Sequence, residues 1–412
     1  MAQVVLPVVV HGVPFFSLAS VPAKEAMCKG SPKRVQCLHE FKNADLTAKR
    51  NEWHISLPGV AALGQLVLRD QRDLPMLYLT SNILAWLIPM GTLVIYAHMN
   101  EWQYRTWLGL GYVVSWLILF VERYILMLHY HSHLNIFKPE YRWMGYIISG
   151  LLPVAFGIPM ATYYMHHVIM HHVENNHDED ISSTEKYDRT KVSSFLRYWA
   201  RFTMLIGLEL PIYAYKKKRW MWLAALTASM GLFYPVMWIL MAISNSGTFW
   251  VFCVPHMVGL TAMAFGNYSQ HIFVDPDNAN SNYALTYNCL DTAGNQTTFN
   301  DGYHVLHHLQ ARLHWKELPE TFHTKEVLET MRANKAINFR SIHFFDVGVH
   351  VLSGNLRRLV EKYYVHISKQ SIDPEDKSEE EIPTVDEVVA MLEHRLKPVP
   401  QGMSGKDAKK GE

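Results

Sequence analysis

Apolar residues in this chain gather into long runs divided by polar stretches, and four runs are as long as a membrane crossing. At about 1.5 Å per residue, a helix of roughly twenty residues covers a hydrocarbon core of about 30 Å. Residues 74–98 and 107–128 meet that length and lie close together. Residues 220–244 and 247–265 form a second pair, divided by little more than the turn Asn245-Ser246-Gly247. The pattern predicts an all-α integral membrane protein with four transmembrane helices in two hairpins.

Two further apolar segments do not read as crossings. Gly150, Pro153, Gly157 and Pro159 interrupt residues 144–165, as expected of a re-entrant hairpin whose freed backbone groups find protein partners. Residues 202–215 are too short to span and carry Glu209 and Pro211, so they are expected along the interface, beneath Lys216–Arg219. After Gln270 the chain turns polar and Asn-rich, without another run of spanning length. The expected organisation is a cytosolic N-terminal segment (1–73), a membrane catalytic domain (74–322) and a cytosolic helical cap and tail (323–412). In the cap, Thr384 and Glu387 form a capping box for a helix striped with Val385, Val388, Val389, Leu392 and Leu396 and ended by Pro398, a docking element without chemistry.

The net charge of +1 gives no reason to expect a nucleic-acid partner, but its distribution orients the spans. Lys42, Lys49, Arg50, Arg69 and Arg72 precede the first span and Lys216-Lys217-Lys218-Arg219 the third, whereas residues 99–106 hold only Arg105. Both hairpins therefore start and finish in the cytosol or its equivalent. Cys28, Cys37, Cys253 and Cys289 form no metal-like pair or disulfide framework, which favours a reducing compartment.

Against this frame, nine histidines stand out: His129 and His133; His167, His171 and His172; His304, His307 and His308; and His271 alone. Helical residues three and four apart share a face, so each cluster can aim several neutral imidazoles at one point, as iron, copper, zinc and nickel require. The first cluster follows the exit of the second span, and Asn267 and His271 follow the exit of the fourth, so they emerge on the same side. Asn300 or Asp301 is expected to N-cap the helix that carries the third cluster. Acceptors for the outer ring N–H groups are sought among Glu122, Glu174, Asp178, Asp180 and Asp301. Glu122 lies seven residues before His129 on one helix face, with an ion pair to Arg123 as its alternative role. His166 neighbours His167 and can replace it, though helical spacing favours His167. His131 should point elsewhere, His256 beside Pro255 should be packed, and His177 is either a supporting or a solvated residue.

Three histidine boxes, paired spans, boxes on one membrane face and Asn267-x-x-x-His271 resemble the integral-membrane fatty acid desaturase and hydroxylase superfamily, over residues 74–322. HVIMHH and NYSQH resemble the membrane alkane monooxygenases. NDGYHVLHH, followed by Trp315 and Leu318-Pro319, is more similar to acyl-lipid and sphingolipid desaturases, and the Asn–His spacing is similar to that of stearoyl-CoA desaturase.

The resemblance implies two iron ions held by the nine histidines, with Asn267 near one metal, directly or through a water. It implies O2-dependent desaturation of a fatty acyl chain, acyl-lipid or acyl-CoA, with hydroxylation as the alternative. The second box is one residue longer than the commoner H-x-x-H-H, which leaves the division of ligands between the irons open. No H-P-G-G haem signature is present and His304 stands where front-end desaturases have Gln, so electrons are expected from a separate cytochrome b5 and its reductase. The tail Lys409-Lys410-Gly411-Glu412 resembles an endoplasmic reticulum retrieval signal. The absence of acidic residues before Glu25 leaves a plastid location, with ferredoxin as donor, as the alternative. A non-enzymatic metal transporter is the remote alternative; its ligands would lie in broken helices near the midplane, whereas these clusters follow the span ends.

Overall fold

The structure, a computed structural model, describes residues 33–49 and 54–404. The N-terminal residues 1–32, with Cys28 among them, Arg50 and the Lys409-Lys410-Gly411-Glu412 tail lie outside those residues.

Four described helices are long and apolar enough to cross a membrane, and they follow the apolar runs. The first hairpin is α1 (Leu74–Met99) and α2 (Arg105–His133). Then come α3 (Val192–Lys216) and the second hairpin, α4 (Trp220–Ile243) and α5 (Ser246–Gln270). Close approach binds the hairpins together: at Gly109 of α2, a Cβ would sit 2.5 Å from the Trp250 ring of α5, so only glycine admits this contact. Exposed aromatic residues gather at the α1–α2 loop (Trp102, Tyr104, Trp107) and beside the α3–α4 turn (Tyr215, Trp220), the positions that interfacial aromatic side chains favour.

Between α2 and α3 the chain goes in and returns. Wide π turns at Ile147–Leu151 and a short helix at Leu152–Ala155 lead to a reversal, where Gly157 (φ +72°) and Ala161 (φ +62°) are left-handed. The chain then comes back through Thr162–Tyr164 into Met165–His171. Gly157 lies directly on the His256 backbone of α5, where a side chain would collide, and His256 Nδ1–H donates to its carbonyl.

The segment expected along the interface is longer than its apolar run suggests: residues 202–215 are the second half of the 25-residue α3, with Pro211 inside it. Ser194, Tyr198, Phe202, Ile206 and Leu210 are buried at a spacing of four, so the stripe that holds the helix begins upstream, among polar neighbours that mask it. Met204, Leu208 and Ile212 on the other side are exposed, and Arg201 pairs with Glu209 at 2.9 Å.

Beyond α5, the short α6 (His304–Leu309) carries the last histidine box. α7 (Phe344–Leu352) packs on α5 through Gly348 and Ser269, and α8 (Leu356–Tyr363) and α9 (Val385–Arg395) pack on each other. The Thr384–Glu387 capping box is present, and Val385, Val388, Leu392 and Leu396 are buried, each contributing about 1.5–3 kcal/mol by area. Two parallel strand pairs tie distant segments: β1 (Gln36–Cys37) with β4 (Val365–His366), and β2 (Tyr287–Leu290) with β3 (Ile337–Arg340), in the register Tyr287↔Ile337.

Candidate metal centre

Four elements deliver imidazoles to one place: the last turn of α2, the returning arm, the end of α5, and α6. The ring nitrogens of His129, His133, His167, His172 and His307 form one group, and those of His171, His271 and His308 a second, with the contributing atoms of each group within 4.8 Å of one another. In the first group His129 Nε2 lies 2.8 Å from His307 Nε2, His133 Nε2 3.0 Å from His167 Nε2, and His172 Nε2 3.1 Å from His167 Nε2. His304 belongs to neither group by that measure. Its ring centroid is 4.8 Å from that of His308 and 5.5 Å from that of His271, which puts it against the second group.

The second box explains how its histidines part. Met165–His171 is a π-helical stretch, whose wider turn rotates the chain less per residue and so swings His172 closer to the face of His167 than an α-helix would. His167 and His172 therefore converge in the first group and His171 turns to the second, rather than His167 and His171 sharing a point as α-helical spacing suggests. The extra residue of H-x-x-x-H-H is taken up in that wider turn.

Partners behind the rings set their tautomers. Asp301 Oδ1 accepts from His129 Nδ1 at 2.6 Å, Asp180 Oδ2 from His171 Nδ1 at 2.6 Å, and the Leu285 carbonyl from His271 Nδ1 at 3.1 Å. With the proton held at Nδ1, each Nε2 lone pair points inward. Gln270 Nε2 donates to the other oxygen of Asp301 at 2.7 Å and lies 3.3 Å from His304 Nδ1. Burial pushes the Asp180 carboxyl up, but His171, the Ser182 hydroxyl and His166 outweigh it and leave the group below the usual carboxylate range. Burial and the neighbouring His171 push His271 down to about 3. Burial also holds His167, His172, His304, His307 and His308 well below the ordinary imidazole value.

These neutral rings leave a specific deficit. His271 Nε2, His304 Nε2 and both nitrogens of His308 are buried without a hydrogen-bond partner, and lone pairs crowd together in the first group. Buried polar atoms are rarely left so, and a cation at each group satisfies them: the donor set fits two metal ions with nitrogen preference.

Several expected supporting roles fall elsewhere. Asp301 does not cap α6, because its carboxylate is committed to His129 and Gln270; Tyr303 occupies the N-cap, and the Asn300 amide donates to the Trp315 carbonyl. Glu174 accepts from the Tyr213 hydroxyl (2.6 Å) and pairs with Lys217 (2.8 Å), Asp178 is exposed, and His177 bonds Glu185. Glu122 reaches His343 of the cap rather than a box histidine. His131 turns to the Gly145 side, and His166 lies parallel to His171 at 6.3 Å, outside both groups. Asn267 is in the last turn of α5; its amide nitrogen donates to the Ser182 carbonyl and the Tyr198 hydroxyl, each at 2.9 Å. Gln270 and Tyr163, which stacks on His167 at 5.5 Å, also belong to the site; Gln270 adjoins His271 in sequence, a signal for it, whereas the Leu285 carbonyl carries none.

A cavity of about 70 Å³ lies against the groups, lined by His129, His167, His171, His304 and Asn267 and by apolar residues of α2, α5 and α7. Across Tyr163, His166 and Met263 lies a second cavity of about 70 Å³, bounded by Phe202, Tyr234 and Leu260. An apolar groove of about 260 Å³ runs beside it along α4.

No curated protein and no solved structure matches the chain. The family model for fatty acid desaturase matches residues 105–336, more than half of the 412 residues and all three histidine boxes. With paired apolar helices and the boxes gathered at one end of them, this chain belongs to the fatty acid desaturase family.

Proposed function

We propose that the chain is an O2-dependent desaturase that introduces a double bond into a fatty acyl chain, with two iron ions held by His129, His133, His167, His172 and His307 and by His171, His271, His304 and His308, and with Asn267 beside the second. The observation that carries the reading is the meeting of eight imidazoles in two groups, with His304 against the second, beside a largely apolar cavity. Bound irons would supply activation of O2 with two external electrons, the chemistry an unactivated C–H bond demands. In balance, two hydrogens leave adjacent methylenes, and with O2, two electrons and two protons they end as two waters.

The chain's own residues do the rest. Asp301, Asp180 and the Leu285 carbonyl hold the ring tautomers, Gln270 steadies Asp301, and the apolar walls exclude water and hold the methylenes. The groove along α4 and the two cavities supply a route from the bilayer. The electron donor is a separate cytochrome b5 with its reductase, and the membrane that of the endoplasmic reticulum; a plastid location with ferredoxin is the alternative.

Hydroxylation is the second reading, favoured by the likeness of HVIMHH and NYSQH to alkane monooxygenases. Expression in a host lacking its own desaturases, with double bonds and hydroxyls located by lipid mass spectrometry, separates the two. New hydroxyls without double bonds replace the first reading by the second; no oxidised lipid with the irons bound removes both.

A further inference from the structure

Glu122 is the acidic side chain of α2, with the charge of the adjacent Arg123 acting on it and with Val121, Ile125, Met263, Phe344 and Phe345 lining the same cavity. It is 9% exposed. Its Oε1 lies 3.2 Å from Nε2 of His343, in contact but off the line a hydrogen bond requires, so that ring nitrogen has no hydrogen-bond partner. An acidic group within a membrane span is costly unless it serves a purpose.

The carboxylate is also well placed for a substrate. Seven residues along α2 put it on the order of 10 Å from His129, on the helix face that carries both into one cavity. An acyl chain with its oxidised methylenes beside the histidines therefore has room to bring a polar group to Glu122. A carboxylate accepts hydrogen bonds and repels another anion.

We propose that Glu122 is a binding residue that accepts a hydrogen bond from a hydroxyl or amide N–H on the substrate. This inference rests on the acyl-chain reading above and narrows it: the substrate class is a neutral or cationic lipid with a donor near its chain, and a free fatty acid is disfavoured. His343 lies behind the carboxylate, and Arg123 is the cation beside it.

The test is equilibrium binding to the purified full chain in nanodiscs, blanked against empty nanodiscs, with radiolabelled N-palmitoylethanolamine and palmitate as probes at pH 7.5. The parent should bind the amide about tenfold tighter than palmitate, which corresponds to about 1.4 kcal/mol. Glu122→Gln should narrow the preference to within about threefold, by tightening palmitate as well as weakening the amide, and Glu122→Leu should weaken the amide further. A parent that binds both probes equally, or a folded Glu122→Gln with an unchanged ratio and the same loss of Tm as His343→Ala, would overturn the proposal and leave the pair a tie. Failure of the desaturase reading would show separately, as a host without oxidised lipid, whatever the binding ratio.

Discussion

Asp301 and His129, 172 residues apart in sequence, meet at 2.6 Å between Oδ1 and Nδ1, and the other oxygen of the same carboxylate accepts from Gln270. One short contact thereby joins the end of α2, the end of α5 and the loop before α6. Its neighbour in kind is Asp180 on His171, also at 2.6 Å. Each group of imidazoles is thus keyed by a carboxylate from a different loop.

Weakening either key should weaken the metal without dissolving the fold. Asp301→Asn and Asp180→Asn keep the volume but lose the charge that favours the Nδ1–H tautomer, and each should lower iron affinity or turnover about 10- to 100-fold. Asp178→Asn, at an exposed carboxylate, should leave both unchanged. Iron content by mass spectrometry of purified protein, alongside product per iron, checks this; an Asp301→Asn variant with parental iron and turnover refutes the keying role.

The division into groups makes the histidine substitutions distinguishable. Alanine at any of the nine should abolish turnover, and the parent should hold about two irons per chain. His271→Ala, in the smaller group, should drop the content toward about one. His131→Ala and His256→Ala should retain iron and activity, since one ring turns to Gly145 and the other to the Gly157 carbonyl. A parent that is active with one iron, or active with zinc, contradicts the dinuclear reading.

Acid should unfold the metal-free protein earlier than a protein without this cluster. His271 is pushed down to about 3, and His167, His172, His304, His307 and His308 well below their ordinary value. Below about pH 6.5 the unfolded chain therefore binds protons that the folded chain refuses, and stability falls as pH drops. Asp180, depressed in the fold, adds its own loss only below about pH 4. Thermal midpoints of chelator-treated protein in detergent should be nearly level from pH 8 to 7 and fall steadily from about 6.5 to 4.5. A level curve across that range would mean that the rings are not buried as neutral imidazoles.

The spans and the boxes were legible because they depend on local rules: run length against bilayer thickness, and histidine spacing against helical pitch. The return of residues 144–165 was legible from its Gly and Pro residues, and the capping box from Thr384 and Glu387. What remained hidden depends on distant partners. Asp180 and Asp301 were legible as ring acceptors but not which histidine each meets, nothing near Glu122 announces His343, and the pairing of Tyr287 with Ile337 joins strands too short to stand out. The parting of His167 from His171 was hidden for a different reason: an α-helical wheel assumes a pitch that Met165–His171 does not have.

Electron delivery makes the last prediction, because the fold alters which charges are available. Lys216, Lys217, Lys218 and Arg219 lie at the α3–α4 turn, and on the proposed function this basic patch would steer an acidic cytochrome b5. Lys217 is already engaged, at 2.8 Å from Glu174 and 2.6 Å from Glu179. Neutralising it would disturb the arm behind the second box, so the informative variant changes Lys216, Lys218 and Arg219 to Gln and spares Lys217. With cytochrome b5 and its reductase at low ionic strength, that variant should turn over about three- to tenfold more slowly, mainly through a higher KM for the donor, and added salt should bring parent and variant together. Equal rates at low salt would leave these residues as anchors alone, and a parent that accepts electrons only from ferredoxin would move the protein to the plastid alternative.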